Sequence, residues 1–255
     1  MRIIISPAKK MRVDTDSLGW DGLPVLIDRA EQVLAWLRSQ SATDLRRLWA
    51  ASEKITSLNI ERLDKMDLRQ GLTPALLSYD GIQYTYMAPT VFEAGQLAWV
   101  QEHLRILSAF YGVLKPLDGV TPYRLEMQAK AEIDGCKNLY EWWGDLIYRD
   151  VTRGDRTVVN LASKEYSRCV ERNLHPDDTM VTCVFGELVG SRVVQRGVYA
   201  KMARGEMVRY LASIGATQPE QMRSFSWSGY RFDEGRSTAT SYVFVRECQK
   251  GSRPV

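Results

Sequence analysis

The order in which strand-like and helix-like segments follow one another is what most constrains this fold. Arg2–Ser6 is an apolar run of the buried-strand kind, closed by Pro7. Pro24 then opens a helical pattern with Leu26, Ala30, Val33, Leu34 and Leu37 on one face. Thr43–Trp49 predicts a short helix, and Ser52 caps another that carries Ile55, Leu58 and Leu63. Residues 72–90 hold Pro74, Gly81 and Pro89 and read as irregular. Val91–Phe110 predicts a helix, because Leu97, Val100, Leu104 and Leu107 recur at intervals of three and four. Lys115–Pro122 reads as loop, and Asn138–Val151 as a helix with Leu139, Trp142, Trp143, Leu146 and Ile147 inward.

The second half changes character. Thr157–Leu161 predicts a strand, followed by a helix from Ser163. Thr179–Leu188 and Arg192–Gln195 read as strands around a Gly190–Ser191 turn, and Val198–Ile214 as a helix. Phe225–Phe232 and Ser237–Glu247 predict a hairpin. Without a strict strand–helix–strand beat, the pattern predicts α+β rather than a doubly wound parallel fold. No repeat or long linker interrupts it, so one compact mixed domain over residues 1–255 is expected, with residues 25–70 the best candidate for a helical lobe.

A chain of 255 residues, 45% hydrophobic, can bury a sizeable core. No apolar run approaches the roughly 20 residues that span a bilayer. MRIIISPAKK is too short an apolar stretch for a signal peptide, so a cytoplasmic protein with no membrane partner is expected. Cys136, Cys169, Cys183 and Cys248 contain no CxxC pair and lie far from zinc-ligand spacing, so no metal site or cofactor is expected. The two histidines, His103 and His175, fit no triad or metal pattern, and no Walker, GxGxxG or GxSxG motif is present, so no catalytic residue is assigned.

Charge is uneven. Residues 191–255 carry eleven Lys or Arg against five Asp or Glu in a chain of net charge +3. Such asymmetry fits either an anionic partner or charge dispersed in space. Ser6-Pro7-Ala8-Lys9-Lys10 places free N–H groups and cationic tips at the end of a strand, which suits a phosphate, or a solvated basic loop. In Tyr111-Gly112-Val113-Leu114-Lys115-Pro116 the glycine allows a sharp turn, and a following helix would offer N–H groups to a phosphate. Leu114 and Pro116 depart from the usual helix-hairpin-helix pattern, so an ordinary helix-ending turn competes with it. In Pro122-Tyr123-Arg124-Leu125-Glu126-Met127, Arg124 and Glu126 share a side of an extended chain. They form either a pocket pair that clamps an anion or a structural ion pair. Lys201 and Arg204 share a helix face and Arg209 drifts off it. Gly205, in mid-helix at a cost of roughly 1 kcal/mol, signals close approach by another backbone or a ligand.

The stretches IISPAKKM (4–11), LSAFYGVLKPLDGVTPYRLEM (107–127), LYEWWGDLI (139–147), VVNLASKEYSRCV (158–170), YAKMARGEMVRY (199–210) and GYRF (229–232) fall in the same order in one known family. With them the chain resembles the YaaA family of peroxide stress resistance proteins. Lys115 replaces a usual arginine, Phe110 a usual leucine, and Ile82 and Tyr86 depart from the family's YDGIQYTYM equivalent. The resemblance implies a protein that limits iron-dependent damage during hydrogen peroxide stress. It also implies an α+β fold with a helix-hairpin-helix-like element, a basic cleft, and binding to double-stranded or branched DNA.

Two functional expectations follow. In the first, Lys9, Lys10, Gly112, Lys115, Arg124, Lys201, Arg204 and Arg209 hold DNA phosphates with little sequence specificity, and Tyr111 and Tyr123 stack on bases. In the second, Ser6, Tyr123, Glu126, Glu165 and Tyr166 belong to a pocket, with Lys9 and Arg124, of an enzyme directed at nucleobases or nucleotides. Direct iron binding finds little support in four scattered cysteines.

Overall fold

The computed structural model describes residues 1–247; Cys248 lies outside the described residues. Strand β1 (Arg2–Ile5) is followed by a two-residue strand, β2 (Lys10–Met11). Three helices come next: α1 (Ile27–Arg38), α2 (Ala42–Trp49) and α3 (Glu53–Lys65). Ala30, Val33, Leu34 and Leu37 of α1 are buried, as their spacing predicts. Ser41 caps α2 by accepting a hydrogen bond from Asp44 N at 3.2 Å. On α3 the expected face is only partly correct. Leu63 is buried, but Ile55 and Leu58 are exposed, while Thr56 and Asn59 point inward. Those two tolerate burial because their side chains donate to the Ser52 and Ile55 carbonyls.

Residues 72–90 are not irregular. They form β3 (Thr73–Pro74), α4 (Ala75–Ser78), β4 (Tyr79–Asp80) and α5 (Ile82–Met87). The expected Val91–Phe110 helix is two elements, α6 (Ala94–His103) and β5 (Leu104–Ser108). Every residue of β5 is buried. A strand covered on both faces shows no polar alternation, so its leucines imitate helical spacing. Strand β6 (Gly112–Leu114) folds back on β5, with Leu107 opposite Val113 and Ser108 opposite Gly112. The helix-hairpin-helix-like element expected here is therefore a β-hairpin, with Gly112 turning at φ 76°.

Next come β7 (Gly119–Val120), paired with β3, then α7 (Leu139–Trp143) and α8 (Leu146–Val151). Gly144 at φ 52° breaks what the sequence presents as one helix. The chain continues through β8 (Thr157–Leu161), α9 (Lys164–Glu171), β9 (Thr179–Val189), β10 (Arg192–Val194) and α10 (Gly197–Ser213). It closes with β11 (Arg231–Phe232) and β12 (Ser241–Glu247), which pair antiparallel; of the expected Phe225–Phe232 arm only these last two residues are strand, and Trp227–Gly229 is a 3-10 turn.

The main sheet runs β11-β12-β9-β8-β1-β5-β6, with β10 on β9. All neighbours from β12 to β5 are parallel, and β6, β10 and β11 pair antiparallel. The domain is thus a mixed α/β one built on a large mixed sheet. Its parallel centre is hidden in the element order because short pieces crowd the connection from β1 to β5. Leaving β1 the chain crosses to β5 on one side; leaving β8 it crosses to β9 on the other. The carboxyl ends of β1 and β8 therefore flank a topological switch point, where open α/β sheets leave a crevice. The buried apolar faces of α1, α2 and α3 join the same core as the sheet. Among the described residues no helix is long and apolar enough to cross a membrane.

The β5–β6 hairpin is secured by charge as well as packing. Buried Arg105 lies 3.6 Å from Asp150 and donates to the Leu104 carbonyl. Asp118 accepts from Lys115 N at 2.8 Å, and burial pushes its carboxyl from the ordinary 3.8 up to about 7. The folded state thus keeps a proton that the unfolded chain releases. Asp118 contributes stability at acid pH that is lost as pH rises through about 7. Asp118→Asn keeps an acceptor for Lys115 N and removes that titration. Thermal unfolding at about pH 5 and about pH 8 should show a smaller drop in Tm for the variant than for the wild type. An equal drop in both would contradict this account.

Candidate functional site

A cavity of about 380 Å³ opens at the switch point. The ends of β1 and β8 are tied there: Ser163 N donates to Ser6 Oγ at 2.8 Å, and the two hydroxyls lie 3.2 Å apart. Tyr84 OH donates to the Ser6 carbonyl at 3.0 Å, which docks α5 against the same loop. The walls come from five stretches: the loop after β1, the β4–α5 segment, the loop residues 123–126, the start of α9 and one face of α10.

Two glycines let these stretches close together. A Cβ on Gly205 would stand 2.1 Å from the Gln83 carbonyl oxygen and 2.8 Å from Met87 N. Helix α10 therefore meets α5 backbone to backbone, the close approach that a mid-helix glycine signals. A Cβ on Gly81 would stand 2.8 Å from Ala8 Cβ, so β4–α5 also touches the β1 loop closely. Gly205→Ala gains helix propensity but cannot relieve a clash with backbone. It should lose about 1–3 kcal/mol in urea unfolding, whereas equal or greater stability would show that the α5–α10 contact is looser than described.

Ten of the residues singled out in the sequence line this cavity: Ser6, Lys9, Lys10, Tyr123, Arg124, Glu126, Glu165, Tyr166, Lys201 and Arg204. Lys9 Nζ lies 2.6 Å from Glu126 Oε2, and Arg124 Nη2 lies 3.1 Å from Glu126 Oε1. Arg124 also donates to the Lys9 carbonyl at 3.3 Å, and Lys10 pairs with Asp80 at 2.5 Å. Arg124 and Glu126 are thus an ion pair and cavity lining at once. Lys201 and Arg204 have no carboxylate partner among the described residues. Burial lowers the Arg204 pKa, the direction expected of a cation short of solvent. Arg204 Nε, Arg124 Nε and Gln83 Nε2 are buried donors without a protein acceptor.

The acidic side differs. Glu165 is half-buried and accepts from Gln128 N at 3.2 Å; burial raises its pKa, and the Glu126 charge adds to the rise. The Tyr166 hydroxyl is pushed well up, chiefly by burial. Tyr123 OH bonds to Ser108 Oγ at 2.8 Å and Tyr79 OH at 2.9 Å, and burial raises its pKa too.

Three residues expected to hold phosphate lie elsewhere. Gly112 serves packing: a Cβ there would stand 2.9 Å from Leu26 Cδ1 and from the Trp143 ring. Lys115 is exposed on the β6 turn, and Arg209 lies on α10 beyond the cavity lining. The expected stacking of Tyr111 and Tyr123 on bases also fails. Tyr111 is fully buried against Tyr123, with its OH accepting from Thr121 N at 3.1 Å, and Phe110 stacks on Tyr123 at 5.0 Å. Sequence reasoning missed Gln83, Tyr84 and Ser163. Their one signal is position, beside Gly81 and immediately before α9. The departing residue Ile82 does line the cavity; Tyr86 does not. Among the described residues no three His, Cys, Asp or Glu side chains gather to hold a metal ion.

The large mixed sheet, with a cavity at the carboxyl ends of its parallel strands, defines this as a mixed α/β protein. The family model described as peroxide stress protein YaaA matches residues 1–236, and the chain belongs to that family. It is similar to a UPF0246 protein of Agathobacter rectalis, 54% identical over 247 residues, covering 97% of this chain and 99% of the relative. A UPF0246 protein of Lachnoclostridium phytofermentans is 50% identical over 246 residues, covering 96% of each chain. One of Desulfitobacterium hafniense is 50% identical over 246 residues, covering 96% of this chain and 98% of the relative.

Proposed function

We propose that this peroxide stress family member works in the cytoplasm by binding double-stranded or branched DNA with little sequence preference, and so limits iron-dependent oxidative damage. The observation that carries the reading is the meeting of Lys9, Lys10, Arg124, Lys201 and Arg204, from three distant stretches of sequence, around one cavity. Phosphate oxygens accept hydrogen bonds and carry negative charge, so they answer both the unpaired cations and the unpartnered buried donors. The cavity offers donors to a backbone rather than a helix to a groove, in keeping with weak sequence preference.

Fluorescence anisotropy with a labelled duplex tests this. Affinity should fall steeply between about 50 and about 200 mM salt, and Lys201→Glu should weaken binding and make the log–log slope shallower by about one. Salt-independent binding, or wild-type binding by Lys201→Glu, would overturn the reading.

One observation favours a second reading, an enzyme acting on a nucleotide or nucleobase. The cavity falls in the size range of small-ligand sites, and burial holds Glu165 toward its protonated form beside the ion-paired Glu126. Glu126→Gln separates the two. If cells carrying it lose peroxide protection while the protein keeps DNA affinity, chemistry at the cavity is required. Full protection removes the enzyme reading.

A further inference from the structure

Helix α9 leaves the cavity and lays three cations along one exposed face: Lys164, Arg168 and Arg172. They recur every four residues, about 6 Å apart along the axis, close to the step between successive phosphates on one strand. None has a carboxylate partner among the described residues. The opposite face of the helix is buried through Tyr166, Cys169 and Val170, so the orientation of the cationic face is fixed by the core.

This face overlooks a second hollow of about 770 Å³. Glu165 lines both the hollow and the central cavity, so the two adjoin at that residue. The Arg168 guanidinium lies 5.0 Å from the centre of the Tyr140 ring, and Tyr140 OH donates to the Glu165 carbonyl at 2.8 Å. The ring and the cation are thus held as one platform. Two carboxylates also face the hollow, and both are committed to backbone. Glu141 accepts from Lys137 N at 2.9 Å, and Glu165 from Gln128 N at 3.2 Å. Glu171, also on α9, accepts from Ser167 Oγ at 2.7 Å.

We propose that α9 is a rail for a single nucleic-acid strand, on which Lys164, Arg168 and Arg172 take consecutive phosphates while the strand leads into the central cavity. A groove that tracks backbone charge beside an aromatic platform is the usual form of a strand-binding surface. The inference rests on the DNA-binding reading and adds the path, which makes the branch or gap in a DNA molecule, where one strand is free, the preferred target.

The double variant Arg168→Glu/Arg172→Glu tests it; both side chains are exposed and lie outside the core, and a thermal melt checks that the fold survives loss of the Arg168–Tyr140 contact. Anisotropy is measured with a single-stranded oligonucleotide of about ten nucleotides, with a blunt duplex, and with polyglutamate as competitor. The double variant should bind the single strand roughly tenfold or more weakly, and its salt slope should fall by about 1.4, the loss of two phosphate contacts. Its affinity for the blunt duplex should fall less. Wild-type affinity of the double variant for the single strand overturns the rail. If Lys201→Glu still weakens duplex binding in that case, the DNA reading survives without it. If the wild type binds no DNA, the reading itself fails. Displacement of the oligonucleotide by polyglutamate at equal charge concentration would mean an anionic protein as partner and would also overturn the rail.

Discussion

Strand β1 is four residues long, yet it pairs in parallel with β5 on one side and β8 on the other. Ile3, Ile4 and Ile5 have no solvent exposure. Both its faces and both its edges are occupied, so its register is fixed by burial and by two ladders together. Everything that makes a site depends on that fixed register. It brings Ser6 to the level of Ser163, and the bond from Ser163 N to Ser6 Oγ closes the ends of the two strands. Because the chain departs from those ends in opposite directions, the crevice between them stays open and receives side chains from elsewhere.

What fills the crevice is brought by packing rather than by neighbouring sequence. Helix α10 presses its backbone onto α5 at Gly205, and the β4–α5 segment presses onto the β1 loop at Gly81. These contacts deliver Lys201 and Arg204 from one side and Gln83 and Tyr84 from another. The stability lost by placing glycine in mid-helix is offset by a contact no side chain would permit. The result concentrates cations and N–H donors faster than carboxylates can balance them. Lys9 and Lys10 find Glu126 and Asp80 at the rim, while Lys201 and Arg204 do not.

Much of this was legible in the sequence. The strand at residues 2–5, the helices at 27–38, 42–49 and 197–213, and the β12 arm of the C-terminal hairpin follow from local patterns, and the structure agrees with them. So does the meaning of Gly205. Where the reading failed, tertiary burial had erased the pattern. Leu104 and Leu107 sit in a strand covered on both faces, so no alternation survived to distinguish it from helix. The glycine turn at Gly112 was legible as a turn, but its partner elements were not: a helix was expected before it, and strands stand on both sides. Lys115 fell away from the site with that change. Arg124, Glu126 and Glu165 were legible as members of one candidate pocket, but not the sheet order that brings them together. Gln83 carried no signal but its place beside Gly81, in a stretch that read as irregular.

The cavity between the ends of β1 and β8 is the proposed meeting place with DNA. Amide chemical shifts of isotope-labelled protein, followed while a forked duplex is titrated in at low salt, test it most directly. The account predicts that the largest shifts fall on Lys9, Gln83, Ser163 and Lys201. Shifts that leave those four unmoved and gather instead on the β9–β10 hairpin or the exposed faces of α2 and α3 would contradict it.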